Sequence, residues 1–237
     1  MIKSPRLPSP ARRLRQIHDA LARAYGAQHW WPAHSVFEVI VGAYLTQNTS
    51  WKAVELSLKN MRAAGALSVE GLRAVSVHRL QQLIRPSGFY TRKAPALKAF
   101  IAMLDAEFDG SLKVLAATET VVLRERLLAL PGVGLETADA ILLYALNHPV
   151  PVADEYLRRI VERHGLIEPG PGRDRHGYAS LVQLTREAFA ADPEPDRIGL
   201  FNEFHALTVA VGKAHCRRQS KCEGCPLAND LARYLRR

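Results

Sequence analysis

From "SVFEVIVGAYLTQ" near the start to "RIGLFNEFHALTVAVGKAHC" near the end, apolar side chains recur at the three- and four-residue spacing of a helix face. Between these, "WKAVELSLKNMRAAG", "VHRLQQLIRPSG", "RKAPALKAFIAMLDAEF", "ETVVLRERLLAL", "LETADAILLYAL", "DEYLRRIVERHG" and "YASLVQLTREAFA" keep the same spacing. No segment of comparable length alternates as a strand would. Glycine, proline and serine punctuate the pattern at Gly65, Pro86 to Gly88, Gly110, Pro131 to Gly134 and Pro149 to Pro151. An all-α chain with short connections is predicted. A proline-rich arm over residues 1–10 precedes a basic helix from Ala11 to Tyr25, and "LIEPGPGRDRHG", Leu166 to Gly177, reads as a polar surface connection.

The 237 residues suffice for one large or two small domains. Lysine and arginine total 32 against 23 acidic residues, a net charge of +9, which favours a polyanionic partner through counterion release. Nucleic acid and an anionic membrane surface lead on charge alone. No run approaches the roughly 18 to 20 apolar residues that span a bilayer, and "MIKSPRLPSPARRLR" is not followed by a signal-peptide core. A cytoplasmic protein is expected, nucleoid-associated if the partner is DNA.

The segment "LLALPGVGLETADAILLYAL" places a Pro-Gly-Val-Gly turn between two apolar helices. Its glycines, Gly132 and Gly134 around Val133, permit positive φ and close backbone approach. The N–H groups of the turn and of the second helix's first turn can then hold a phosphate. About twenty residues on, in "VPVADEYLRRI", Asp154 opens a helix behind a proline-containing linker. A carboxylate there is an N-cap by default. Held at the edge of a binding site, it is also a preorganised anion able to stabilise a developing cation or activate water.

The order of hairpin, linker and Asp-headed helix resembles the helix-hairpin-helix-Gly/Pro-Asp superfamily of DNA glycosylases, and within it the endonuclease III-like branch. The resemblance runs from about Phe37 to Pro226 and includes "LTQNTSWKAV", "SGFYTRKAPAL", "LPGVGLETADAIL", "ADEYLRRI" and the cysteines near the C-terminus. In that branch a lysine two residues after the hairpin's second glycine forms a Schiff base with the sugar. Glu136 stands in its place, and a carboxylate forms no imine. The resemblance therefore implies a monofunctional glycosylase acting on double-stranded damaged DNA, with Asp154 assisting attack by water and Glu136 lining the base pocket. Simple first-turn helix chemistry is the other reading of Glu136. Lys213 and Lys93 are other amines, though neither sits where the family puts one.

Base extrusion needs a plug and a wedge. "LTQNTSW" matches the family segment whose Gln fills the vacated space, giving Gln47 with Asn48. "SGFYTRKA" matches the apolar wedge, giving Phe89 with Arg92 and Lys93 near phosphates. Trp30, Trp31, Phe37 and Trp51 are candidate walls of an aromatic base pocket, where stacking and cation–π attraction favour alkylated purines. With the missing lysine, "QNTSW" and "ADAILLYAL" look similar to the 3-methyladenine glycosylase III type.

"CRRQSKCEGCPLANDL" spaces Cys216, Cys222 and Cys225 like the branch's C-terminal 4Fe-4S loop, with Leu231 where the fourth cysteine belongs. His215 or His205 could supply a fourth ligand. Cluster, zinc and no metal stay open. Arg217, Arg218 and Lys221 make the loop a candidate phosphate contact. The resemblance implies two helical lobes with the DNA-binding cleft between them. One is a six-helix lobe over residues 37–147; the other combines residues 1–36 with 148–237. A monomer is expected. A bifunctional glycosylase and abasic lyase, and a non-catalytic DNA-binding relative, are the alternatives.

Overall fold

The computed structural model describes residues 8–30, 33–167 and 175–235, and every regular element in them is helical. The chain divides into two compact units, Trp31–His148 and a discontinuous one of Met1–Trp30 with Pro149–Arg237. No helix among the described residues is long and apolar enough to cross a membrane. Most of the expected surface connection, from Glu168 to Asp174, lies outside the described residues, as does the start of the N-terminal arm.

The continuous unit is built around α2 (Val36–Thr46), whose residues Phe37 to Leu45 are all buried. A helix apolar on every side has to be covered on every side. α3 (Trp51–Ala63), α6 (Tyr90–Glu107) and α9 (Leu135–Ala140) pack against it, and α5 (Val77–Leu83) and α8 (Thr120–Ala129) brace α6 and α9. Buried Glu38 within α2 is paired with Arg62 at 2.7 Å, which offsets the desolvation of its charge. Two short helices that no sequence pattern marks, α4 (Val69–Ala74) and α7 (Leu112–Ala116), join the longer ones. At five and six residues they hold too few turns to show a period; serine caps, Ser68 and Ser111, start both.

α9 runs on into a single π-turn, Ile141–Ala145, in which Leu146 N–H reaches Ile141 O across five residues at 3.2 Å. The turn stays buried, and beyond it the His148 ring meets Thr120 Oγ1 of α8 at 2.8 Å.

In the discontinuous unit α1 (Pro10–Tyr25) buries Leu14, Ile17, His18 and Leu21 as one stripe against α11 (Arg175–Ala188) and α12 (Glu194–Ala214). α10 (Glu155–Arg163) lies along α12 so closely that a Cβ on Gly212 would come within 2.2 Å of the Tyr156 ring. α13 (Ala228–Leu235) is tied back by Asp230, which accepts from Arg13 and meets the His164 ring, each at 2.7 Å. The neighbouring guanidinium and imidazole hold the Asp230 carboxyl below its ordinary range despite burial.

Candidate active site

The hairpin forms as its glycines require. Gly132 has φ of +77°, a conformation that L side chains rarely adopt, and Gly134 caps α9 in an extended conformation. A Cβ on Gly134 would meet nothing within 4 Å, so its absence leaves open space above the turn. Val133 turns its side chain inward and its N–H to Leu130 O at 3.3 Å. The N–H groups of Gly132 and Gly134 are taken up by no hydrogen bond among the described residues and stand exposed. Two outward donors at the start of a helix suit an anionic oxygen.

Gln47 caps the C-terminus of α2 and reaches across to the hairpin, its Nε2 donating to Gly132 O at 3.0 Å. Asn48 beyond it is left-handed at φ +52°. Phe89 is also left-handed, at φ +47°, and 59% exposed, immediately before α6. Arg92 lies exposed on the first turn of that helix.

Lys93 does not occupy the surface position a phosphate contact requires. It is 7% exposed, and its ammonium donates to Leu45 O at 2.8 Å, Thr49 Oγ1 at 2.9 Å and Ser87 O at 2.8 Å. All three donors are spent inside the protein. Burial pulls its pKa down to about 8. Helix register carries the signal the sequence reading missed: Lys93 shares a face with the buried Leu97, Phe100 and Leu104.

The aromatic candidates separate. Phe37 is 4% exposed and belongs to the core of α2, because that helix buries its whole circumference; it is no pocket wall. Trp51 opens α3, half-exposed, with its indole N–H on Glu55 Oε1 at 2.7 Å. Trp31 lies outside the described residues. Trp30, in the other unit, stands edge-on to His205 with ring centroids 5.7 Å apart, and the Lys213 ammonium lies 5.9 Å from its ring centre.

That imidazole marks the catalytic candidate. Asp154 is 8% exposed; its Oδ1 accepts from Leu157 N–H at 2.8 Å as the N-cap of α10, and its Oδ2 lies 3.6 Å from His205 Nε2. One oxygen fixes the helix and through it the carboxylate; the other faces a titratable ring. His205 was visible in the sequence only as a possible metal ligand. It is brought to Asp154 by the packing of α10 on α12, a contact across fifty residues that no local pattern encodes. Glu136 is exposed in the first turn of α9, where an acid complements the helix dipole.

Cys216, Cys222, Cys225 and His215 line one cavity of about 240 Å³ with Arg163, Lys221 and Leu231. Arg163 donates to Cys216 Sγ at 3.1 Å and to the carbonyls of Arg217 and Arg218 at 2.8 and 2.9 Å, and Arg159 donates to Cys216 O at 3.0 Å. His215 Nδ1 lies 3.0 Å from Lys221 O, a contact in which Nδ1 is the donor. Among the described residues no three His, Cys, Asp or Glu side chains converge on a point that would hold a single metal ion. Three cysteines and His215 thus share one cavity with Leu231 without forming a ligand set among the described residues. Arg217, Arg218 and Lys221 are exposed on this loop.

Residues 41–179 match the HhH-GPD superfamily of base excision DNA repair proteins. A Methanocaldococcus jannaschii protein bearing the name DNA repair glycosylase is 38% identical over 214 residues, spanning 90% of this chain and 92% of that one. The thymine/uracil-DNA glycosylase of Pyrobaculum aerophilum is 29% identical over 88% of this chain and 84% of its own length. The H. pylori 3-methyladenine DNA glycosylase, solved bound to 1,N6-ethenoadenine, superposes with a TM-score of 0.73 at 27% identity, over 87% of this chain and 98% of that chain. A trapped endonuclease III–DNA covalent intermediate shares the fold at the same TM-score of 0.73 and 21% identity, over 94% of each chain. The family match over more than half of the residues, and a relative 38% identical along nearly all of both chains, place the protein: the chain belongs to the HhH-GPD superfamily of base excision repair DNA glycosylases.

Proposed function

We propose that this glycosylase removes alkylated purines from duplex DNA by hydrolysis and leaves the strand uncut. The observation that carries the reading is the division of labour on Asp154. One oxygen is immobilised by the α10 cap, and the other stands 3.6 Å from His205 as a fixed, buried anion. As the bond from C1′ to the base nitrogen breaks, its electron pair leaves with the base. The carboxylate offsets the positive charge growing on the sugar and takes a proton from the attacking water. Glu136, in place of the family's imine-forming lysine, supports the absence of strand cleavage. In this reading Gly132 and Gly134 hold phosphate, Gln47 fills the gap in the stack, Phe89 wedges it, and Arg92, Arg217, Arg218 and Lys221 meet the backbone.

Trp30, half-buried beside the His205 ring, supports an aromatic purine partner. Lys213 already places a cation on that indole, so what Trp30 offers is chiefly stacking. The likeness to the H. pylori enzyme, above a quarter identical, points the same way. The Pyrobaculum relative favours a second reading, removal of thymine or uracil. The cysteine loop carries three of the four cysteines of the family's 4Fe-4S site, and Arg159 and Arg163 fasten it through the protein itself. No step of the reaction passes through it.

The test is to incubate the protein separately with methylated duplex, oxidised-pyrimidine duplex, and duplexes carrying G·T or G·U mismatches, and to identify freed bases by mass spectrometry. Release of methylated purines is expected. Release of oxidised pyrimidines with a borohydride-trapped protein–DNA adduct would establish the bifunctional alternative, and release of thymine or uracil alone the second reading. Binding without release of any base would leave a DNA-binding relative.

A further inference from the structure

Three segments of the continuous unit carry the residues proposed above to open the duplex: the turn after α2 with Gln47, the turn before α6 with Phe89, and the hairpin with Gly132. Each is an irregular stretch of backbone. Asn48 and Phe89 are non-glycine residues in left-handed conformations, which cost of order 1 kcal/mol or more and persist only where the surroundings hold them.

What joins two of them is a pair of side chains, Lys93 and Thr49. The Lys93 ammonium has three protons and meets three acceptors. Leu45 O and Thr49 Oγ1 bracket the Gln47 turn, and Ser87 O begins the Phe89 turn. The Thr49 hydroxyl, which accepts from Lys93, donates its own proton to Ser87 O and closes the junction. Gln47 then connects the Gln47 turn to the hairpin through Gly132 O. We propose that Lys93 is a positioning residue: its buried ammonium locks the Gln47 turn to the Phe89 turn so that plug and wedge enter the duplex as one rigid body.

A lysine with a lowered pKa invites reading as a nucleophile. The geometry argues otherwise, because the amine is buried and all its protons are engaged with the protein. The match of three donors to three acceptors also explains why lysine is used. An apolar side chain offers no proton and leaves Leu45 O and Thr49 Oγ1 without the donor that Lys93 gives them. Backbone contacts and the local bonds of Thr49 and Ser87 hold each turn; Lys93, together with Thr49, fixes their separation.

The proposal rests on the assignment of Gln47 and Phe89 to duplex opening, so both are tested together. The probe is a duplex with a tetrahydrofuran abasic analogue flanked by 2-aminopurine, whose fluorescence rises when it is unstacked. Lys93→Met and Thr49→Val are compared with Gln47→Ala and Phe89→Ala, with helicity and melting recorded for each and affinity for undamaged duplex as a control. In the two junction variants the fluorescence gain is expected to fall at least about fivefold while undamaged-duplex affinity stays within about threefold, since phosphate contacts supply that affinity. A full gain in a folded Lys93→Met protein, with Gln47→Ala or Phe89→Ala losing it, overturns the role of Lys93 and leaves duplex opening standing. A full gain in both Gln47→Ala and Phe89→Ala overturns the assignment itself, and the Lys93 role with it. If Lys93→Met does not fold, Thr49→Val decides by the same criterion.

Discussion

Replacing Asp154 by asparagine separates two things that one side chain does. Asparagine caps a helix about as well as aspartate, so the bond to Leu157 N–H, 2.8 Å in the parent, survives. What is lost is a negative charge at the N-terminus of α10, about 0.3 to 1 kcal/mol. For a chain of this size that amounts to a melting shift of about 1 to 4 °C. Chemistry should respond on another scale, because the oxygen facing His205 is replaced by a neutral amide NH2 group that carries no negative charge toward a cationic sugar, a loss of about 100- to 10,000-fold in the rate of base release. Alanine at the same position removes the cap as well and adds about 1 kcal/mol of destabilisation. The assay is single-turnover release of methylated purines by excess protein, with thermal melts of the parent and both variants. Base release by Asp154→Asn within about threefold of the parent would refute the catalytic role. A melting loss as large for asparagine as for alanine would refute the cap.

Lys93 predicts a pH dependence of stability. Its folded pKa of about 8 lies below the ordinary 10.5, so between those values the unfolded chain binds more protons than the folded one. Stability should therefore rise from pH 8 to 10.5, by on the order of 3 kcal/mol at most, in urea titrations at fixed temperature, and Lys93→Met should flatten that rise. Gly212→Ala drives a methyl group to 2.2 Å from the Tyr156 ring and should destabilise by about 1 to 3 kcal/mol, seen as a lower urea midpoint. Base release should fall with it, because α10 carries Asp154 at its head. Leu231→Cys completes the family's set of thiolates around the cavity and should raise iron bound per chain after reconstitution, measured by iron assay and visible absorbance.

The fold was legible wherever an element was long enough to show its period, and the hairpin and Asp154 wherever chain geometry demands a particular residue. Positive φ calls for glycine at Gly132, and an orphan N–H calls for a carboxylate at Asp154. The short helices α4 and α7 escaped because a turn and a half shows no period. Phe37 was misplaced because composition marks an aromatic without saying which way its helix faces, and α2 faces inward on all sides. Lys93 was misplaced by its charge, although its register with Leu97 and Phe100 pointed inward. His205 and Asp154 meet only through the stacking of α10 on α12, and tertiary contact of that kind has no local trace.

The π-turn after α9 bears on how freely this chain can change length. A π-turn is an α-helix carrying one surplus residue, and each residue of an α-helix turns the chain by about 100°. Because Ile141, Leu142, Leu143 and Ala145 are all buried, the surplus is absorbed inside the core and has no surface bulge from which it could be trimmed. Deleting any one of them would remove a buried side chain from the core and shift the short segment that carries the His148 ring to Thr120. Substitutions can accumulate in "ILLYALNH", but insertions and deletions should be barred there, so its residue count should stay fixed while its spelling drifts.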